Sequence, residues 1–279
     1  LPHPLFEIVT TRTGAISIRN KVLNETMHNP VGPWAEANSL YISQSKLAER
    51  LQLDSHDELV LFDVGLGAAA NALAVLHCAR AKTRKRPLRM ISFERELELL
   101  RFALKHASQF EHFHGYEKII EQLLATGKWH EDGLIWELRH GDFVQDLLRE
   151  KYQPHLIYYD PYSSKVNREM WSMERFRDLR SKCREANAGG TLLFTYSQAT
   201  PIRVALLSAG FFVGQGLRTG PKEETTIASS VLADLEAPLG QTWFQRWQKS
   251  HVQVPFDCSL SEAPKLREWM TMHPQFQLN

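Results

Sequence analysis

Cysteine is scarce and scattered: Cys78, Cys183 and Cys258 are odd in number and form no C-x-x-C or Cys/His spacing. Neither a disulfide framework nor a zinc site is expected, and His112 with His114 is too small a set for another metal. Cys78 and Cys183 fall in segments that read as helices, where a buried free thiol is the simple assignment. Charge of one sign is lacking too, since 33 Lys and Arg face 32 Asp and Glu for a net charge of +1. That balance excludes gripping a polyanion by bulk charge, while leaving room for a local basic patch. No apolar run approaches the roughly 18–20 residues of a membrane span, and the N-terminus has no signal-peptide pattern. The expectation is a cytoplasmic protein with no membrane and no metal.

What is present is ordinary globular material, 279 residues with 43% hydrophobic and 23% charged, enough to bury a core without covalent staples. Residues 5–19 read as a hairpin turning at Thr13-Gly14, and an amphipathic helix is expected over 38–51. Short apolar runs then alternate with helical stretches. The runs are ELVLFDVG (58–65), LRMISFE (88–94), LIWELRHGD (134–142), PHLIYYD (154–160) and TLLFTY (191–196), followed by FFVGQG (211–216) and TTIASSVL (225–232). Helices are expected to about Arg80, to about His106, over 168–185 and around 200–208. This alternation predicts a parallel sheet covered on both faces, its last two strands antiparallel because the link between them is too short for a crossover. Five crossover units and a hairpin make the strand inventory of a class I S-adenosylmethionine-dependent methyltransferase, a Rossmann-like α/β sheet. The domain reading is an N-terminal β element at 1–30, the methyltransferase domain at 31–235 and a C-terminal extension at 236–279. Residues 108–133 form an insertion, and Trp243, Trp247 and Trp269 are expected to pack on the core.

In an open α/β sheet, ligands bind beyond the carboxyl ends of the strands. Four acids stand at the tips of successive runs: Asp63, Glu94, Asp142 and Asp160. Gly65 and Gly67 form a turn opening the next helix, with amides free at its start. The third glycine of a dinucleotide fingerprint is replaced by the alanines 68–70, which argues against dense phosphate contact. Singly, each acid reads as a loop carboxylate or helix cap. Together with the glycine turn they favour S-adenosyl-L-methionine over a dinucleotide. Glu94 is suited to ribose hydroxyls, Asp142 to an adenine amino group, and Asp160 to the neighbourhood of the transferred group.

The segment DPYSSKVNREMW (160–171) resembles a stretch after the fourth strand in the methyltransferase domain of the bacterial tRNA-modifying MnmC enzymes, with Asp160, Asn167, Met170 and Trp171 matching. DVGLGAAANAL (63–73) is similar to that family's glycine-rich loop, keeping Gly65, Gly67, Asn71 and Leu73 with Ala69 in place of the last glycine. ISFE (91–94), HGD (140–142) and residues 189–211 are similar to its second, third and fifth strands. Lys222 and Glu224 match its K-x-E, and Glu25 to His28 its N-terminal acidic-Thr-Tyr/Met-His segment. The family usually fuses this domain to a flavin oxidoreductase, and no second nucleotide-binding pattern follows residue 240. The resemblance implies N-methylation of the aminomethyl group of wobble 5-aminomethyl(-2-thio)uridine in tRNA. Together with the strand-tip reading and the chemistry of the reaction, it gives a candidate catalytic pair, Asp160 and Tyr162, and a cofactor set of Asp63, Gly65, Gly67, Asn71, Glu94, Asp142, Phe143 and Asp160. A substrate set of Glu25, His28, Asn167, Trp171, Lys222 and Glu224 completes it.

Methyl transfer to an amine needs a neutral nitrogen, an in-line approach and little water. Asp160 is assigned positioning first and proton transfer second, because a carboxyl near ~4 is a poor base for an ammonium unless burial raises it. Tyr162 either stacks on the base or is a loop aromatic, and Trp171 either stacks or packs in the core. Asp160-Pro161-Tyr162 also resembles the D-P-P-Y motif of enzymes that methylate exocyclic base or amide nitrogens, which is the alternative activity. A non-catalytic nucleoside-binding scaffold is a third reading. The densest basic run (Arg80, Lys82, Arg84, Lys85, Arg86, Arg89) should lie on the edge of the sheet away from the site. Arg19, Lys21, His28, Lys165, Arg168, Arg218 and Lys222 are better placed to meet RNA.

Overall fold

A computed structural model describes residues 5–27, 31–80, 84–217, 224–250 and 254–277. His28, Lys82, Arg218 and Lys222 fall outside the described residues. The chain begins with a small antiparallel sheet, β1 (Phe6–Thr10), β2 (Ile16–Asn20) and β3 (Glu25–Thr26). The apolar runs then form β4 (Leu59–Val64), β5 (Leu88–Glu94), β6 (Lys128–Glu131), β7 (Leu134–His140), β8 (Leu156–Tyr159), β9 (Leu192–Thr195), β10 (Phe212–Gly216) and β11 (Thr225–Ser229). They build an eight-stranded sheet in the order β10-β11-β9-β8-β4-β5-β7-β6. The pairings among β7, β5, β4, β8 and β9 are parallel, while β11 runs antiparallel to β9 and β10 antiparallel to β11. Strand order reverses at β4, whose neighbours are β5 and β8, so the tips of these strands frame the switch-point crevice.

Continuous burial explains the strands. Every residue of β4 and β8 is buried, as parallel strands covered by helices on both faces require. One core layer joins Leu61, Tyr158 and the helix Ala70–Ala79 to the N-terminal elements. The other joins Phe62, Ile157 and Tyr159 to the helices Met173–Lys182 and Thr200–Ser208.

Several local expectations are corrected. The helix expected over 38–51 breaks at Lys46, whose φ of 51° is left-handed; a π-helical segment, Ala37–Ser43, precedes it and a short helix, Leu47–Gln52, follows. The insertion at 108–133 contains the helix Glu117–Thr126 and supplies β6, a hairpin partner of β7 that adds an antiparallel edge. The helix expected over 168–185 starts only at Met173, capped by the Ser172 hydroxyl, and ends before Cys183, which is buried just beyond it. Trp247 is buried and Trp243 packs on Phe276, but Trp269 remains 38% exposed beside His273.

The C-terminal extension is stitched to the β10 edge. Gln275, buried under the last turn, accepts from the Val213 amide at 2.8 Å and donates to the carbonyls of Val213 and Leu239 at 2.7 and 2.9 Å. It meets backbone groups that an exposed edge strand leaves open. Gln275→Ala removes these bonds and strands at least one buried amide. It is expected to cost roughly 2–3 kcal/mol in urea unfolding, and a loss below about 0.5 kcal/mol would mean the edge is satisfied otherwise.

Candidate active site

A cleft of about 590 Å³ opens over the tips of β4, β5, β7 and β8 and is roofed by β3 and the 20–27 segment. Its floor is the turn after β4. Gly65 has φ +91°, and a Cβ there would lie 2.6 Å from the Asp160 carbonyl oxygen and 2.9 Å from Pro161 Cα. Only glycine tolerates both the angle and the approach. Gly67, at φ +55°, turns its amide to Glu94 Oε2 at 3.0 Å. Ala69 occupies the next left-handed position at φ 61° and leads into the helix Ala70–Ala79. Alanine thus adopts the backbone of the missing third glycine, at a cost of about 1 kcal/mol.

The cleft gathers most of the residues singled out in the sequence: Gly65, Gly67, Asn71, Glu94, Asp142, Phe143, Asp160, Tyr162, Asn167 and Glu25 all line it. Glu94 Oε1 also accepts from the amides of Arg95 and Glu96 at 2.9 and 3.1 Å, which fixes the carboxylate at the β5 tip. Asp142 caps the helix Phe143–Arg149 by accepting from the Gln145 amide at 3.0 Å, so cap and cleft lining are one residue. Phe143 meets Phe93 edge-on, 5.4 Å between ring centroids. Asn71 Nδ2 donates to Asp160 Oδ2 at 2.7 Å. Glu25 Oε1 accepts from the Ser163 amide at 3.1 Å, while its buried Oε2 has no hydrogen-bond partner among the described residues.

Three expected site residues are elsewhere. Asp63 is 1% exposed and does not line the cleft; it pairs in register with Ser92, whose hydroxyl donates to Asp63 Oδ2 at 2.7 Å and accepts from Trp136 Nε1 at 2.9 Å. Trp171 is fully buried, edge-on to Tyr159 and Tyr196, and its Nε1 donates to the Tyr162 carbonyl at 2.8 Å. It braces the Asp160–Tyr162 loop from behind. Glu224 is bound to the buried Arg203 at 2.8 Å and faces a different cavity. Tyr41, Glu36, Tyr196 and Arg175 carried no sequence signal, yet Tyr196 and Arg175 line the cleft and Glu36 and Tyr41 act electrically on Asp160.

Burial governs the acids. Asp160 is pushed up to about 8, first by desolvation and then by the Glu36 charge, against the opposing hydrogen bond from Asn71. Asp63 rises to about 7 by desolvation, and Glu94 is raised by burial despite its three backbone donors. Desolvation and the Asp160 carboxylate drive the Tyr41 hydroxyl far above its usual range. An acidic, partly desolvated cleft of this kind favours a cationic ligand, which restores the charge balance that burial removed.

The strand order with its antiparallel β11 and the glycine turn at the first switch-point strand decide the architecture. This is the fold of a class I S-adenosylmethionine-dependent methyltransferase. Residues 113–231 match a family model described as S-adenosyl-L-methionine-dependent methyltransferase. The chain is 25% identical over 233 residues to the tRNA 5-methylaminomethyl-2-thiouridine biosynthesis bifunctional protein MnmC of Campylobacter concisus, covering 81% of this chain and 36% of that protein. It is 26% identical over 228 residues to the protein of the same name from Ectopseudomonas mendocina, covering 76% and 33% respectively. The chain therefore spans about a third of the length of these relatives. A crystal structure of MnmC2 from Aquifex aeolicus shares the fold with a TM-score of 0.72 at 22% identity, over 97% of this chain and 85% of that one. The methyltransferase domain is related to those enzymes. Among the described residues, no helix is long and apolar enough to cross a membrane, and no group of three or more His, Cys, Asp or Glu could hold a metal ion.

The raised carboxyl of Asp160 carries a stability signature. Native Asp160 keeps its proton to about 8, whereas an unfolded aspartate loses it near ~4, so its contribution is full below the lower value and is lost as pH rises through the upper one. Asp160→Asn retains an acceptor for Asn71 and cannot ionise. The melting temperature of the wild type should fall from about pH 4 to about pH 8 by more than that of the variant, with the difference levelling off above about 8; superimposable profiles would place the titration elsewhere.

Proposed function

We propose that this chain transfers a methyl group from S-adenosylmethionine to the aminomethyl nitrogen of a wobble 5-aminomethyl(-2-thio)uridine in tRNA. The observation that carries this reading is Asp160: a carboxyl raised to about 8 at the floor of the cleft, fixed by Asn71. An alkylammonium of lysine type loses its proton near ~10.4, so handing it to a carboxylate near ~4 costs about 9 kcal/mol, and to one near ~8 about 3 kcal/mol. Burial and the Glu36 charge thus turn Asp160 from a poor base into a serviceable one.

The chain's residues fit the cofactor. The Gly65–Gly67 turn leaves room for close approach, Glu94 is anchored at the β5 tip for ribose hydroxyls, and Asp142 with Phe143 lines the adenine end. When bound, S-adenosylmethionine supplies an electrophilic methyl group to this cleft. Asp63 has no direct part; its hydrogen bond to Ser92 ties β4 to β5 beneath the turn. On the substrate side, Glu25 Oε2 is a buried carboxylate oxygen without a partner among the described residues, and an incoming ammonium supplies one. Asp160 takes the ammonium proton, leaving a nitrogen lone pair, and Asn71 holds the carboxyl in place. Tyr162 lines the space for the base, and its hydroxyl lies by Asn20.

Two observations favour this reading over the D-P-P-Y activity, in which a backbone carbonyl and the acid hold an amide or amino group. The Pro161 carbonyl already accepts from the Tyr196 hydroxyl at 3.3 Å, and that of Tyr162 from Trp171. The names of the bifunctional relatives support a 5-methylaminomethyl-2-thiouridine product. For RNA contact, Lys21, Lys165 and Arg168 are exposed, and Arg168 lies on the cleft rim. Of the basic run, Arg80 pairs with Glu131, Arg84 and Arg86 bond backbone carbonyls, and Arg89 pairs with Glu58 and Glu137. The four described arginines of that run are thus engaged with neighbouring groups of the chain, while Lys85 is exposed.

Incubation of the protein with labelled S-adenosylmethionine and tRNA bearing 5-aminomethyluridine, followed by nucleoside mass spectrometry, should yield 5-methylaminomethyluridine. The initial rate should rise with pH through about 8 as Asp160 loses its proton. Asp160→Asn should lower kcat by 10²–10⁴-fold, the usual worth of a general base of about that strength, with little change in cofactor affinity. Label appearing on adenine or on a protein amide instead would sink the assignment.

A further inference from the structure

A second cavity, of about 580 Å³, opens on the same edge of the sheet as the cleft. Gln198, just past the end of β9, and Gln215, next to the end of β10, both line it. These two strands run in the same direction, because each is antiparallel to β11. The helix Gln241–Gln248 of the C-terminal extension contributes Thr242, Trp243 and Arg246 to the opposite wall. The loop after β9 is the shared partition: Tyr196 lines the cleft and Gln198 the second cavity. Only Ser197 separates Tyr196 from Gln198, so one short loop divides the two cavities.

The chemistry of the walls matches a nucleotide. Trp243 offers an indole already set parallel to Phe276, at 14° and 6.1 Å, so its orientation is fixed by packing. Arg246 is exposed and makes no ion pair among the described residues. Glu224, the one acid in the lining among the described residues, is neutralised by Arg203, whose guanidinium is itself buried and bonded to Thr226 Oγ1 and the Thr225 carbonyl. The cavity therefore presents a net positive charge, a flat aromatic surface and two side-chain amides able to read base edges. This combination of stacking platform and cation is how unpaired nucleotides are held.

We propose that this cavity is a subsite for a nucleotide neighbouring the methylated one in a single-stranded RNA loop, its base against Trp243 and its phosphate at Arg246. The assignment rests on the RNA substrate proposed above, and it gives the C-terminal extension a place in substrate binding. A mononucleoside reaches only the cleft; an RNA loop fills both.

The test compares two substrates, free 5-aminomethyluridine and a stem-loop oligoribonucleotide carrying it in the loop, with wild type, Arg246→Ala and Trp243→Leu. Arg246 is exposed, so its truncation should leave the melting temperature unchanged; the Trp243 variant is read only if its melting temperature stays within a few degrees. For the stem-loop, KM should rise about tenfold in each variant with kcat nearly constant, while kcat/KM for the nucleoside is unchanged. Arg246→Ala should also flatten the dependence of log KM on log salt by about 0.7, the share of one single-strand phosphate contact. An unaltered stem-loop KM, or an equal loss on both substrates, would overturn the proposal. If wild type methylates neither substrate, the proposed activity fails, and fluorescence anisotropy with an unmodified single-stranded oligoribonucleotide decides the cavity separately. Binding that weakens tenfold in Arg246→Ala supports the subsite; absent binding, or binding equal to wild type, removes it.

Discussion

The approach of Gly65 to the Asp160–Pro161 backbone is the constraint on which the rest of the site depends. The β4 and β8 tips are neighbours in the sheet, and at Gly65 the two chains come closer than any side chain permits. That contact sets the level of the cleft floor. It aims the Asp160 carboxyl at the first turn of the helix Ala70–Ala79, where Asn71 meets it. It also fixes where the loop after Asp160 leaves the sheet, so that Trp171 can brace it from below through the Tyr162 carbonyl and Glu25 from above through the Ser163 amide. A loop tied at three points is a suitable support for reacting groups, because displacement of an ångström is costly to an in-line reaction.

From that placement follows the electrostatics. A carboxyl at the bottom of a crevice loses solvation, and the loss is enlarged here because Glu36 and Asp63 are charged neighbours. Several acids share a small desolvated volume, and burial holds the carboxyls of Asp160, Asp63 and Glu94 toward their protonated forms. The same burial raises the Asp160 carboxyl, favours a cationic over an anionic ligand, and disfavours the phosphates that the glycine turn of a dinucleotide-binding sheet would welcome. The sequence pointed to the last of these for a different reason, the missing third glycine. Ala69 shows that the left-handed geometry is retained without it, so the acids of the cleft argue against phosphate more strongly than the alanine does.

Much of the fold was legible because buried parallel strands must be continuously apolar, and β4, β5, β8 and β9 stand out as such runs. The antiparallel pairing of the last two strands followed from the short link between them. Of the acids expected at strand tips, Glu94, Asp142 and Asp160 line the cleft and Asp63 does not, for a reason of parity. Asp63 is one residue short of the β4 terminus, so the pleat directs it sideways to Ser92 of β5 while Val64 lines the cleft. Trp171 and Glu224 matched a motif by spacing, but spacing carries no information on which way a side chain points. Trp171 goes into the core and Glu224 to Arg203. Tyr41 and Glu36 were invisible because their effect on Asp160 acts between chain segments more than a hundred residues apart, which no local pattern encodes.

The supports of this site lie outside the sheet, in segments whose local sequence is least regular. The N-terminal strands roof the cleft and deliver Glu25; the π-helical turn, Ala37–Ser43, brings Tyr41 beneath Asp160, with Glu36 immediately ahead of it. A methyltransferase sheet supplies the glycine turn and the strand-tip acids, and these suffice for a nucleoside cofactor. They do not by themselves distinguish one amine from another. How far the Asp160 carboxyl is raised depends on its burial and on Glu36 and Tyr41 from this N-terminal part, together with Asn71 and Asp63 from the sheet and its first helix. Changes at Glu36 or Tyr41 should therefore shift the Asp160 titration while leaving Glu94, Asp142 and Phe143 at the far end of the cleft untouched.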